Sequence, residues 1–203
     1  MTAIITGDII NSRNSDSNSW VEGLKELLLS KGKTPTDWEI FRGDEFQLEV
    51  QNPEEALFVA LEIKTWLKTI RLDARISIGI GEKTFSGKKI SESNGSAFIR
   101  SGELFEMLKK QKLTLAINTG DTGFDTEMNL MLRLGTSLMQ NWLPQSAEFA
   151  LTAMKNPGYS QEELGLQLGI KQAAVSRRQT RSQFDLVMDI DQFYRQKLKK
   201  AIL

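Results

Sequence analysis

The stretch Trp38-Glu39-Ile40-Phe41-Arg42-Gly43-Asp44-Glu45-Phe46-Gln47-Leu48-Glu49-Val50 decides how this chain folds. Trp38 to Phe41 is one apolar-rich run, and Phe46, Leu48 and Val50 alternate with Gln47 and Glu49. That period predicts two strands joined by a tight turn at Arg42-Gly43-Asp44. Upstream, Ala3 to Ile10 is apolar except at Thr6, Gly7 and Asp8, which suits a strand buried on both faces and ending near an aspartate. Between the two, Trp20, Val21, Leu24, Leu27 and Leu28 recur at helical spacing and stop before Gly32. Downstream, Pro53 opens a second helix towards Arg71, with Glu54 and Glu55 at its positive end. Ala74 to Ile80 is a further strand, followed by a polar segment, 81–94, long enough to be functional or a plain surface excursion. Phe98, Leu104, Phe105 and Leu108 predict a helix from Gly95 to Lys110, and Leu113 to Asn118 a last strand. The order is β-α-β-β-α-β-α-β, an α+β arrangement.

Composition narrows the chemistry. The chain has 203 residues, 26 Lys+Arg, 26 Asp+Glu, no cysteine and no histidine. Serine or cysteine nucleophiles activated by histidine, disulfides and Cys/His zinc sites are therefore excluded, and any metal must be a hard ion on oxygen ligands. No apolar run approaches the roughly 18 residues of a membrane span. The N-terminus lacks the basic and apolar regions of a signal peptide. The expectation is a cytoplasmic protein with no membrane partner. Charge is uneven along the balanced chain: residues 160–203 carry eight basic and five acidic side chains, so the tail is the basic end.

Asp8 closes the first strand and Asp44 tips the hairpin, each preceded by glycine. If the first strand pairs with the hairpin, both carboxylates reach one spot. With the carbonyl of Ile9 they form a ligand set of the kind Mg²⁺ or Mn²⁺ takes when a nucleotide supplies the remaining oxygens. Gly43 would let a phosphate approach the backbone. The plainer reading is that Gly43-Asp44 is turn chemistry and Asp8 only caps the segment after the strand.

Five segments, Thr6-Gly7-Asp8-Ile9-Ile10-Asn11-Ser12-Arg13, Phe41-Arg42-Gly43-Asp44-Glu45-Phe46, Arg75-Ile76-Ser77-Ile78-Gly79-Ile80-Gly81, Ile90-Ser91-Glu92-Ser93-Asn94-Gly95 and Ala97-Phe98-Ile99-Arg100-Ser101-Gly102-Glu103, together resemble the bacterial SatD family over nearly the whole chain. The part up to about residue 120 is also similar in pattern to class III nucleotide cyclase and GGDEF palm domains. That resemblance implies a ferredoxin-like, palm-type fold in which Asp8 and Asp44 take the places of the two metal-binding aspartates. Cyclases place an asparagine and an arginine on the helix after the long loop, where this chain has Ile99 and Glu103. A carboxylate repels a triphosphate, so the pattern leans away from catalysis. Asn11, Ser12, Arg13, Arg42, Gly43, Lys88 and Arg100 are the candidate ligand contacts, although long basic side chains on loops are commonly just solvated.

Beyond Asp125 the sequence turns helical, with Met128, Leu130, Met131, Leu134, Leu138 and Trp142 ahead of Pro144. After Pro157-Gly158, Ser160 and Glu163 match a capping box, Gly165 is small where two helices would touch, and Gly169 suits a left-handed turn. Leu164, Leu168, Ile170 and Val175 supply the inner faces of a helix-turn-helix. Its second helix, from about Lys171 to Phe184, offers Lys171, Gln172, Ser176, Arg177, Arg178 and Arg181, side chains suited to phosphates and base edges. Arg178 stands where such units keep an apolar residue. The same basic face would be mere solvated surface if the unit served protein contacts.

These readings divide the chain into a palm domain (1–124), a helical connector and candidate dimerisation helix (125–155) and an all-α helix-turn-helix domain (156–203). They predict a dimeric DNA-binding transcriptional regulator that senses a nucleotide-type molecule with Mg²⁺ or Mn²⁺. The rivals are a nucleotidyl cyclase or polymerase-like enzyme positioned by its tail, and a non-catalytic dimerisation scaffold.

Overall fold

The computed structural model describes residues 1–12, 17–41 and 43–202. Its strands are β1 (Thr2–Ile10), β2 (Trp38–Phe41), β3 (Glu45–Val50), β4 (Asp73–Gly81) and β5 (Leu115–Asn118). Three helices alternate with them: α1 (Ser17–Leu29), α2 (Ala56–Thr69) and α3 (Ser96–Gln111). Five more come after β5: α4 (Thr122–Gln140), α5 (Pro144–Lys155), α6 (Gln161–Leu168), α7 (Gln172–Ser182) and α8 (Phe184–Ile202). Among the described residues no helix is long and apolar enough to cross a membrane.

The fold is α+β, built on one mixed sheet of order β2-β3-β1-β4-β5. β1 is central and antiparallel to both β3 and β4, whereas β5 runs parallel to β4. Both faces are covered, which explains why β1 reads as a nearly continuous apolar run. Ala3, Ile5 and Ile9 join a core with Trp20 and Leu24 of α1 and Leu57 of α2. On the other face the Ser101 hydroxyl of α3 donates to Thr6 Oγ1 at 2.7 Å, and Ser77 Oγ donates to the Ser101 carbonyl at 2.8 Å. α3 comes so close there that a Cβ on Gly79 would lie 2.3 Å from the Ala97 carbonyl oxygen. Glycine is needed for that helix to sit on the sheet.

α2 is buried nearly all round, including Glu62, Lys64 and Thr65. An amphipathic helix on a sheet would leave that outer side wet, but α5 covers it. One hydrophobic cluster consequently runs from Ile5 through Ile63 to Phe149, Val175 and Tyr194. The tail is thus packed on the sheet domain rather than tethered to it.

Two local expectations change. The helix expected from Pro53 begins as a 3-10 turn, Pro53–Glu55, capped by the Asn52 side chain, before α2 proper. The helix read from Lys171 to Phe184 stops at Ser182, because Gln183 turns left-handed (φ 51°) and α8 starts afresh. The Ser182 carbonyl accepts the Trp142 indole N–H at 2.7 Å instead of continuing the helical ladder.

Candidate functional site

Strand pairing brings the two Gly-Asp dipeptides together. Asp8 is registered opposite Glu45, and the Ile9 N–H donates to the Asp44 carbonyl at 3.1 Å. The N–H and C=O of a strand residue point the same way, so the Ile9 carbonyl is also directed towards the hairpin. Ser12 Oγ donates to Asp44 Oδ2 at 2.6 Å, tying the end of β1 to the turn. On the other side, β4 sets Arg75 opposite Asp8, and Arg75 Nη1 donates to both carboxylate oxygens, at 3.1 and 2.8 Å. Lys109, from the last turn of α3, reaches Glu45 at 3.1 Å.

Burial pushes the Asp8 carboxyl above its ordinary pKa, and Asp44 and Glu45 push it the same way. The opposing charges of Arg75 and Lys109 reduce the rise without cancelling it. Two carboxylates and a carbonyl at one strand end fit a hard ion whose other ligands are phosphate oxygens. Arg75 must then release Asp8. Among the described residues no three acidic side chains are grouped so as to hold an ion unaided.

The other sequence candidates divide by position. Asn11 is exposed and left-handed (φ 62°) beyond β1, and Gly43 (φ 88°) sits at the hairpin tip with open space around it. Both adjoin the aspartates. Arg13 and Arg42 lie outside the described residues. Arg100 does not gather with Asp8, which corrects the expectation that it shares the same ligand. Arg100 donates to the Ile80 carbonyl at 2.5 Å, and Ile80 pairs with Ala3, roughly 16 Å along β1 from Asp8 at 3.3 Å per residue. Lys88 is exposed in the loop after β4. The loop is anchored, with Phe85 bridged to Asn94, Ile90 buried, and the Ser91 hydroxyl donating to Glu39 at 2.6 Å. Ile99 and Glu103 are exposed on α3.

Sequence reading missed Arg75, Glu45 and Lys109. Arg75 had a signal, as the one charge inside the apolar run Ala74 to Ile80. Lys109 had none, because only the tertiary course of α3 brings its end over the hairpin.

The tail folds locally as its motifs require. Ser160 caps α6 and the Glu163 carboxylate accepts from the Ser160 N–H at 2.7 Å, a complete capping box. Gly169 is left-handed (φ 64°), and a Cβ on Gly165 would lie 2.7 Å from the Ile170 carbonyl oxygen. Close crossing of α6 and α7 around buried Leu164 and Val175 results. On α7, Gln172, Ala173, Arg177, Thr180 and Arg181 are exposed, with Lys171 just before them and Ser176 half-buried at the margin. Gln172 is drawn to α6, donating to Gln161 Oε1 at 2.5 Å. Arg178 departs from the set: it turns to α5, where Nη1 donates to the Gln145 carbonyl at 3.2 Å and to Glu148 at 3.3 Å. It fills the inner position with a tethered cation where an apolar side chain was expected.

Comparison of the chain with protein-family models, with curated proteins and with solved structures found no match.

Proposed function

We propose that this protein binds DNA through α6 and α7 and is a regulator whose sheet domain senses a nucleotide-type ligand with Mg²⁺ or Mn²⁺. The observation that carries the first half is the crossing of α6 and α7 on Gly165 and Gly169, which leaves Arg177 and Arg181 outward on α7 and Lys171 exposed at its N-cap. A helix so presented enters a major groove, with phosphate contacts supplying affinity and base edges specificity.

The second half is supported by the adjacency of Asp8, Asp44 and the Ile9 carbonyl. Strand order β2-β3-β1-β4 with antiparallel pairing supports reading the sheet domain as ferredoxin-like and palm-type. Exposed Ile99 and Glu103 favour a sensor over a cyclase, since neither can offset charge on a transferring phosphate. Leu130 and Leu134, 54% and 57% exposed one turn apart on α4, suit pairing with a second copy. A dimer also matches the two half-sites that one small helix-turn-helix needs for specificity.

The test is fluorescence anisotropy with a pool of random-sequence duplexes, followed by selection of the bound fraction. Salt-dependent binding and an enriched motif are expected. Absence of binding to any duplex at low salt would overturn the DNA reading. Thermal shift with triphosphates and Mn²⁺ tests the sensor. A metal-dependent stabilisation lost in Asp8→Ala/Asp44→Ala is expected, and an equal shift in both proteins removes the carboxylates from the site.

A further inference from the structure

A cleft of about 530 Å³ opens where the C-terminal end of β1 and the α2–β4 turn meet the joint between α4 and α5. It lies on the α2 side of the sheet and does not include Asp8 or Asp44. Its charge is one-sided. Among the described residues Asp73 is the only acidic one lining it, and that carboxylate is already divided between two lysines, with Oδ1 at 2.6 Å from Lys64 Nζ and Oδ2 at 2.9 Å from Lys68 Nζ. Lys64 is 1% exposed. Arg71, at the cleft wall, has no carboxylate partner among the described residues. Among the described residues two cations, Lys68 and Arg71, therefore line the cleft with one anion, and that anion is also held from behind by buried Lys64.

Arg71 also stands in an unfavourable conformation. The Leu72 N–H closes on the Leu67 carbonyl at 2.9 Å to end α2, and Arg71 takes the left-handed position (φ 63°) that glycine fills in such helix ends. Glycine would hold that φ without strain. A long, exposed cation kept there at the rim of a cleft, without a carboxylate partner among the described residues, has its use in what the cleft receives. Asn11, lining the same cleft, is also left-handed (φ 62°). The remaining wall is mixed: Leu72, Leu143 and Pro144 give apolar surface, and Gln140 and Gln145 give amide donors and acceptors. The volume suits a small metabolite.

We propose that this cleft binds a phosphate dianion, free or as the monoester of a small metabolite, between Lys68 and Arg71. Arg71 supplies the planar donor fork that matches phosphate oxygens, and Lys68 a second charge already desolvated beside Asp73. The site stands independently of the Asp8 centre and of DNA binding.

Isothermal titration of the full chain with inorganic phosphate, glucose 6-phosphate and AMP, at physiological salt and without divalent metal, tests it. Arg71→Gly removes the cation while relieving the left-handed backbone, and Lys68→Gln keeps a donor for Asp73, so both variants fold. Saturable binding of at least one probe, weakened about tenfold or more in each variant, is expected. Equal affinity for all three probes assigns the cleft to the free ion, and preference for an ester assigns it to a phosphorylated metabolite. No saturable binding at millimolar probe, or undiminished binding in both variants, overturns the proposal.

Discussion

Arg75 holds both carboxylate oxygens of Asp8 from the neighbouring strand, yet burial still leaves Asp8 harder to ionise than an ordinary aspartate. A raised pKa in the folded state means that the folded chain binds this proton more tightly than the unfolded one. Asp8 therefore contributes stability below the ordinary carboxylate range, and that contribution is lost as pH rises through its folded pKa. Asp8→Asn keeps an oxygen for Arg75 without the charge. Its stability relative to wild type should improve from about pH 4 towards neutrality, measured by urea unfolding at several pH values. A difference that stays flat or moves the other way would show that Arg75 outweighs burial.

The Lys64–Asp73 pair should respond asymmetrically. Asp73→Asn leaves Lys64 buried with its counter-charge gone, a change that costs about 3–5 kcal/mol. Lys64→Met costs less, because Asp73 retains Lys68 at 2.9 Å. Burial raises the Asp73 pKa, but the charges and hydrogen bonds of Lys64 and Lys68 outweigh it and hold the carboxyl below its usual range. Its contribution is present above the ordinary aspartate pKa and fades as pH falls below it. The Asp73→Asn penalty should shrink in acid, and comparison of the two variants at neutral and acid pH checks both statements.

How much of this was legible in the sequence depends on the range of each interaction. Ser160, Glu163, Gly165 and Gly169 act within a few residues of one another, so spacing alone located the α6–α7 unit. The approach of Asp8 to Asp44 was legible too, because a hairpin beside a central strand leaves few registers that bury Phe46 and Leu48. Arg100 was misplaced because which end of the sheet a helix residue serves depends on where that helix lies. The contact of Arg178 with α5 was hidden for a related reason. A position on α7 that faces α5 looks basic in sequence, and only the packing shows its charge directed to Glu148. The covering of α2 by α5 had no sequence period to announce it, beyond the unusual apolarity of Ala56 to Ala60.

Gly165→Ala tests the helix crossing. The added Cβ would sit 2.7 Å from the Ile170 carbonyl oxygen, a backbone atom that cannot swing aside. Overpacking of this kind costs about 1–3 kcal/mol, offset in part by the better helix propensity of alanine. A lowered thermal midpoint together with lost DNA binding is expected. Unchanged stability would mean that α6 and α7 separate more easily than their contact implies.

The arginines of α7 should sort by direction rather than by charge. Arg177 and Arg181 are exposed, so replacing both with alanine should leave the thermal midpoint unchanged. If each neutralises one DNA phosphate, the double variant should flatten the slope of log affinity against log salt by about 2. Arg178→Ala should behave differently. It removes a partly exposed ion pair with Glu148 and a bond to the Gln145 carbonyl, so it loses at most about 1 kcal/mol of stability. Its salt slope should match wild type, because a guanidinium directed to α5 releases no counterion from DNA. Anisotropy titrations of the three proteins at several salt concentrations separate the cases. A reduced slope in Arg178→Ala, with no change in Arg177→Ala/Arg181→Ala, would reverse which face of α7 meets the duplex.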